Sequence, residues 1–188
     1  DASQYVPKQI LRIEETGEIV MVTTITGNAL TVIRGMSGTA IVNALGLSDR
    51  DAVRTGFPFS DVRTDSQGFR QMQIAYQCGI VSGISETNFG PNAPIMRQAA
   101  ATMLVRAFSL RNSGLIPADT AGGLAHFSDR ASVSGYAVNG LEAAVALGFF
   151  SGYSDGTLLP KANITNGQPA VIVWSLKLKA VKPGLQWG

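Results

Sequence analysis

"GIVSGISETNFGPNAPIMRQ" (residues 79–98) and "GFFSGYSDGTLLPKANITNG" (148–167) are two versions of one stretch. Gly79 and Gly148, Gly83 and Gly152, Phe89 and Leu158, Pro91 and Pro160, and Ile95 and Ile164 each lie 69 positions apart. A constant offset across matched residue types marks an internal repeat, and a period of this size predicts supersecondary units that bury their faces against neighbouring copies. Ahead of each copy runs an apolar segment, "FRQMQIAYQCGI" (69–80) and "YAVNGLEAAVALGF" (136–149). In the second, Tyr136, Leu141, Ala144 and Leu147 recur at intervals that put them on one face of a helix. Gly79 and Gly148 then stand where a helix C-cap is expected. The repeated loop, with its glycines and proline, re-aims the chain into a second apolar helix. That helix is "MRQAAATMLVRAFSL" (96–110) in one block and "TNGQPAVIVWSLKL" (165–178) in the other. "FSDV" (59–62) and "FSDR" (127–130) open the two blocks.

Part of a third copy precedes them. "VIRGMSGTAIVNALGL" (32–47) aligns without a gap on "IMRQAAATMLVRAFSL" (95–110), with Arg34 on Arg97, Thr39 on Thr102, Val42 on Val105, Leu45 on Phe108 and Leu47 on Leu110. The predicted organisation is a partial repeat over 34–58, repeats over 59–126 and 127–178, and a tail over 179–188. Residues 1–33 form a separate amino-terminal element, because "EIVMVTTITGNALTVI" (18–33) is rich in β-branched residues and broken at Gly27-Asn28. That pattern predicts a small β-hairpin. In it Val20 and Val22 share one face and Ile25 takes the other. The helix that follows is expected to begin after Gly38. The fold class is therefore mainly α, built of helix–loop–helix repeats.

The bulk composition narrows the function. With 45% apolar and 15% charged residues, the 188-residue chain can bury a core. Its net charge of +2 is too small to argue for nucleic acid. No apolar run reaches the roughly 18–20 residues of a membrane-spanning helix. Lys161, Lys177, Lys179 and Lys182 suggest a solvated C-terminal stretch. Cys78 is the lone cysteine, so no internal disulfide and no thiol-based metal or redox site is expected; a buried free thiol is its default. His126 is the lone histidine, with no cysteine or paired acid beside it. Glu14, Glu15 and Glu18 form a charged edge, and no phosphate-binding glycine loop is present. No catalytic residue, cofactor or metal is expected. Trp174 is expected in the core, and Trp187 exposed or against a partner chain. The chain begins at Asp1, which fits either a processed amino end or a fragment.

Taken together, "FSDV…GIVSG…NFGPNAPIMRQ" and "FSDR…YAVNGLEAAVALGFFSGYSDGTLLP…ITNG" resemble the S-layer homology family over about residues 30–178. The resemblance implies three repeats in a pseudo-threefold helical bundle, whose grooves hold a pyruvylated secondary cell-wall polysaccharide and tether the protein to the envelope. It also implies where the ligand is met. Arg34 and Arg97 fall on the arginine of the family's Arg-Ala-Glu motif, and Asp155, Gly156 and Thr157 on its Asp-Gly-Thr loop. An arginine fork suits a ligand carboxylate, so both arginines are expected to line open grooves with guanidinium groups reachable by solvent. The motif is degenerate: Arg34-Gly35-Met36, Arg97-Gln98-Ala99 and Asn166-Gly167-Gln168 all lack the glutamate, and the third lacks the arginine. The bland reading also stays open, with the arginines serving helix starts and Asp155-Gly156 a tight turn.

A second resemblance covers the other end. "LRIEETGEIVMVTTITGNALTVIRGMSGTA" (11–40) is similar to a β-hairpin module of tailed-phage structural proteins. Two functions follow. The first is a non-catalytic surface attachment module, extracellular, with cell-wall polysaccharide and other surface-layer subunits as partners. The alternative is a virion component, decorating a capsid or built into a tail or fibre, that uses the same repeats for assembly or host-envelope contact. Neither needs an enzyme, nucleic acid or membrane insertion.

Overall fold

The computed structural model describes residues 10–12, 19–21, 25–26, 29–30, 34–112, 116–117 and 119–164. The helix expected at 165–178, Trp174, Trp187 and the tail at 179–188 lie outside the described residues. So do the Gly27-Asn28 turn and the faces taken by Val20, Val22 and Ile25. At the amino end β1 (Ile10–Arg12) pairs antiparallel with β2 (Ile19–Met21), Leu11 opposite Val20. β3 (Ile25–Thr26) pairs antiparallel with β4 (Ala29–Leu30).

The rest of the described chain is mainly helical: α1 (Arg34–Leu45), α2 (Phe69–Gln77), α3 (Arg97–Asn112) and α4 (Val138–Ala146). The described residues fall into two compact units, dividing between Ile95 and Met96 and again between Asn163 and Ile164. Each unit joins the second helix of one repeat to the first helix and loop of the next.

In the first unit α1 packs on α2. Ile41 and Val42 on α1 and Met72 and Ala75 on α2 are buried. Contrary to the expected start after Gly38, α1 begins at Arg34. Glycines disfavour helix interiors by about 1 kcal/mol each, and α1 holds two of them, Gly35 and Gly38. Packing outweighs that local preference at Gly38. A Cβ there would sit 3.5 Å from Ala75 Cβ and 3.6 Å from Val81 Cγ1, so the small residue lets α1 approach closely. Phe57, Phe59, Phe69, Tyr76 and Phe89 fill the rest of this unit with ring centroids 5.0–5.9 Å apart, most of them edge-to-face.

In the second unit α3 packs on α4. Ala101, Leu104, Ala107 and Phe108 are buried on one side and Leu141 and Ala144 on the other. The crossing is tight: a Cβ on Gly140 would lie 2.8 Å from Thr102 Oγ1 and 3.0 Å from Thr102 Cα. Tyr136, expected on the buried face of this helix, is instead 60% exposed. A 3₁₀ turn over Gly135–Ala137 precedes α4, and its different residue angle rotates Tyr136 outward while Ala137 goes in.

Both first helices end in the same way. Gly79 has φ +73° and Gly148 φ +67°. The amide of Gly79 donates to Tyr76 O and that of Ile80 to Ala75 O, as Gly148 does to Val145 O and Phe149 to Ala144 O. These paired bonds are a Schellman cap, which needs a left-handed residue and so a glycine.

Candidate functional site

The loops after α2 and α4 are held by the tripeptides that open each repeat. The Asp61 carboxylate accepts the amides of Phe89 (2.7 Å) and Gly90 (2.8 Å). The Asp129 carboxylate likewise accepts Leu158 (2.9 Å) and Leu159 (2.8 Å). The amide of Ser60 donates to Thr87 O and that of Ser128 to Gly156 O, each at 3.0 Å. Phe59 and Phe127 lie close against the loop glycines: a Cβ on Gly83 would meet Phe59 Cε1 at 2.3 Å, and one on Gly152 would meet Phe127 Cε1 at 2.2 Å. Inside each loop one more bond recurs, from Ile84 N to Asn88 O and from Tyr153 N to Thr157 O, both 2.8 Å. Nothing in the Phe-Ser-Asp tripeptides announced this clasp. The signal was there in their recurrence, 68 positions apart beside loops that recur at 69.

The second loop is also fastened to α3. The amides of Arg97 and Gln98, which open that helix, donate to Ala162 O and Pro160 O at 2.9 Å, and Met96 bridges Asn163. Two amides that a helix start leaves without intrahelical partners are thereby satisfied. The Arg97 side chain continues the connection. Its Nε donates to Leu158 O at 2.9 Å and its Nη2 to Ser151 O at 3.2 Å. Its guanidinium carbon stands 4.9 Å from the centre of the Tyr153 ring and 5.2 Å from that of Phe150. Burial pulls the Arg97 pKa down, while Tyr153, by charge and hydrogen bond, and Asp129 pull it back up. Gln98 is buried beside it, receiving the Ser134 amide on Oε1 (3.0 Å) and donating from Nε2 to Ser134 Oγ (2.9 Å).

This placement overturns one expectation. Arg97 is only 5% exposed, so its guanidinium does not line an open groove. Backbone carbonyls of Ser151 and Leu158, together with two rings, compensate a cation that the helix dipole disfavours. Asp155, Gly156 and Thr157 are brought onto the same loop, with Asp155 fully exposed. Gly156 takes φ +78°, and Asp155 Oδ1 accepts both the amide (2.9 Å) and the hydroxyl (2.6 Å) of Thr157. Those two bonds hold the Asp155 carboxyl below its ordinary pKa. Arg34 opens α1 as Arg97 opens α3, and its side chain lies outside the described residues. Tyr153, which no motif singled out, is the aromatic that joins Arg97 to the loop surface.

Comparison with known proteins adds to this geometry. Residues 58–101 and 126–168 match the S-layer homology domain. The chain is 31% identical over 149 residues to an endoglucanase of Bacillus sp. (strain KSM-635), covering 79% of this chain and 15% of the relative. It is 33% identical over 145 residues to the surface-layer 125 kDa protein of Lysinibacillus sphaericus, covering 76% and 11%. With an amylopullulanase of Thermoanaerobacterium thermosulfurigenes it shares 29% over 134 residues, covering 71% and 7%. The chain thus spans between 7% and 15% of the length of these three relatives.

Proposed function

Because the chain carries S-layer homology domains at 58–101 and 126–168, we propose that it is an attachment module that holds a protein at the cell surface by gripping a wall polysaccharide. The observation that carries this reading is the duplicated loop, clasped by Asp61 in one repeat and Asp129 in the next, within those two matched stretches. The relatives support it. They include a surface-layer protein, an endoglucanase and an amylopullulanase, all matched over a small fraction of their length. A segment shared among such different proteins fits attachment rather than catalysis, and an extracellular place on the cell surface. These relatives favour the wall over the virion.

The proposed polymer is acidic and pyruvylated, as the family resemblance implies. Arg34, Asp155, Gly156 and Thr157 are its proposed contacts, while Arg97 shapes the loop from beneath. The amino-terminal β-hairpin and the pseudo-threefold bundle, with helices near 39–47, 98–109 and 168–177 sharing a core, belong to the same proposal. The test is cosedimentation with purified bacterial cell walls, before and after chemical removal of the secondary polysaccharide. The chain should pellet with intact walls and stay in solution with stripped ones. Equal binding to both, or to neither, overturns the attachment reading.

A further inference from the structure

The two loops share a backbone scaffold but present different surfaces. At one pair of equivalent positions the first loop has Ile84 (59% exposed) and Gly90, and the second has Tyr153 (42%) and Leu159 (41%). These positions touch: a Cβ on Gly90 would lie 3.0 Å from Ile84 Cδ1. The same clasp and the same internal bond hold the second loop, which puts Leu159 and Tyr153 at the corresponding two positions. Leu159 has φ +51°, and among the described residues it is the one non-glycine at positive φ. Its counterpart Gly90 takes φ +69° without that strain. The turn needs a left-handed residue here, which glycine supplies in the first loop; an exposed leucine in its place is strain that the fold does not require, and such strain points to function.

We propose that loop 151–159 is the sugar-contacting surface, with Tyr153 as a platform for the C–H face of a pyranose ring and Leu159 as its apolar rim. Loop 82–90 is a scaffold copy that takes no sugar. A pyranose is amphipathic, with an apolar face and a hydroxyl-bearing edge, and a tyrosine held by Arg97 offers a flat apolar face with a polar tip. The exposed Asp155 carboxylate lies on the same loop to accept hydroxyls. Ile84 offers no flat face.

This inference rests on the attachment reading, and calorimetric titration with soluble fragments of the wall polysaccharide separates the two. Wild-type protein that takes up no fragment overturns the attachment reading itself. Given wild-type binding, Tyr153→Leu should weaken it at least about tenfold, Tyr153→Phe by less than about threefold, and Ile84→Ala by less than about twofold. Wild-type affinity in Tyr153→Leu, or an equal loss in Ile84→Ala, overturns the proposal. Leu159→Gly guards against misfolding as the cause, since it relieves strain: it should melt higher yet bind more weakly. A Leu159→Gly variant that binds as tightly as wild type also overturns the proposal.

Discussion

Asp129 shows how much one exposed-looking acid can do. Its two oxygens take the amides of Leu158 and Leu159, and Leu158 O in turn takes Nε of Arg97. Asp129→Ala should therefore cost about 1–3 kcal/mol, the range for stranding donors that were satisfied by a charged acceptor; urea denaturation checks it. Asp61→Ala should cost a similar amount in the first unit, where Phe89 and Gly90 are clasped alike. Asp155 gives a prediction in pH. Its pKa is lowered from 3.8 by the hydroxyl and then the amide of Thr157. A depressed folded pKa means the turn's contribution is complete above the unfolded value and is lost as pH falls through the folded one. The Asp-Gly-Thr turn should hold through mildly acid pH and loosen only below about 3.8. Carboxyl-carbon NMR titration should show this, and Thr157→Ala should return Asp155 towards 3.8.

At the scale of elements, the start of α3 decides the shape of the loop. Two backbone amides and one guanidinium fasten the helix to residues 151–162. Arg97→Ala should remove two charge-assisted hydrogen bonds and two ring contacts, for a loss of about 2–4 kcal/mol. Arg97→Lys should not restore it, since an ammonium cannot reproduce a planar fork held between carbonyls and rings. Equilibrium unfolding of the two variants checks both statements. The result also bears on binding. A glycan-binding defect in Arg97→Ala would reflect a displaced loop, whereas a solvent-exposed arginine would have left the fold intact. The helix ends are simpler. Gly79 and Gly148 were expected caps from sequence position alone, and both take the left-handed conformation.

For the whole molecule, attachment and stability are linked. A ligand that binds only the folded chain stabilises it by about 2.7 kcal/mol at one hundred times its dissociation constant. Wall polysaccharide fragments should therefore raise the thermal midpoint of the wild type, and raise that of Tyr153→Leu distinctly less at the same concentration. Differential scanning fluorimetry at several fragment concentrations checks this. A midpoint that rises equally in both would place the ligand elsewhere on the chain.

The sequence alone was enough for the repeat, for the helices now seen as α2, α3 and α4, and for the capping glycines, because periodicity and positive φ are demands that neighbouring residues make of each other. The family match at 58–101 and 126–168 follows the same repeated residues. The tertiary structure decided what could not be local. Arg97 is buried because its carbonyl partners stand 54 and 61 positions further on, at Ser151 and Leu158. Tyr136 is exposed because a 3₁₀ turn shifts the phase of its helix. Gly38 stays within α1 because Ala75 and Val81 pack against it. Asp61 and Asp129 act through amides 28–30 positions away. Burial and hydrogen-bond partnership belong to pairs of distant residues, and only folding brings those pairs together.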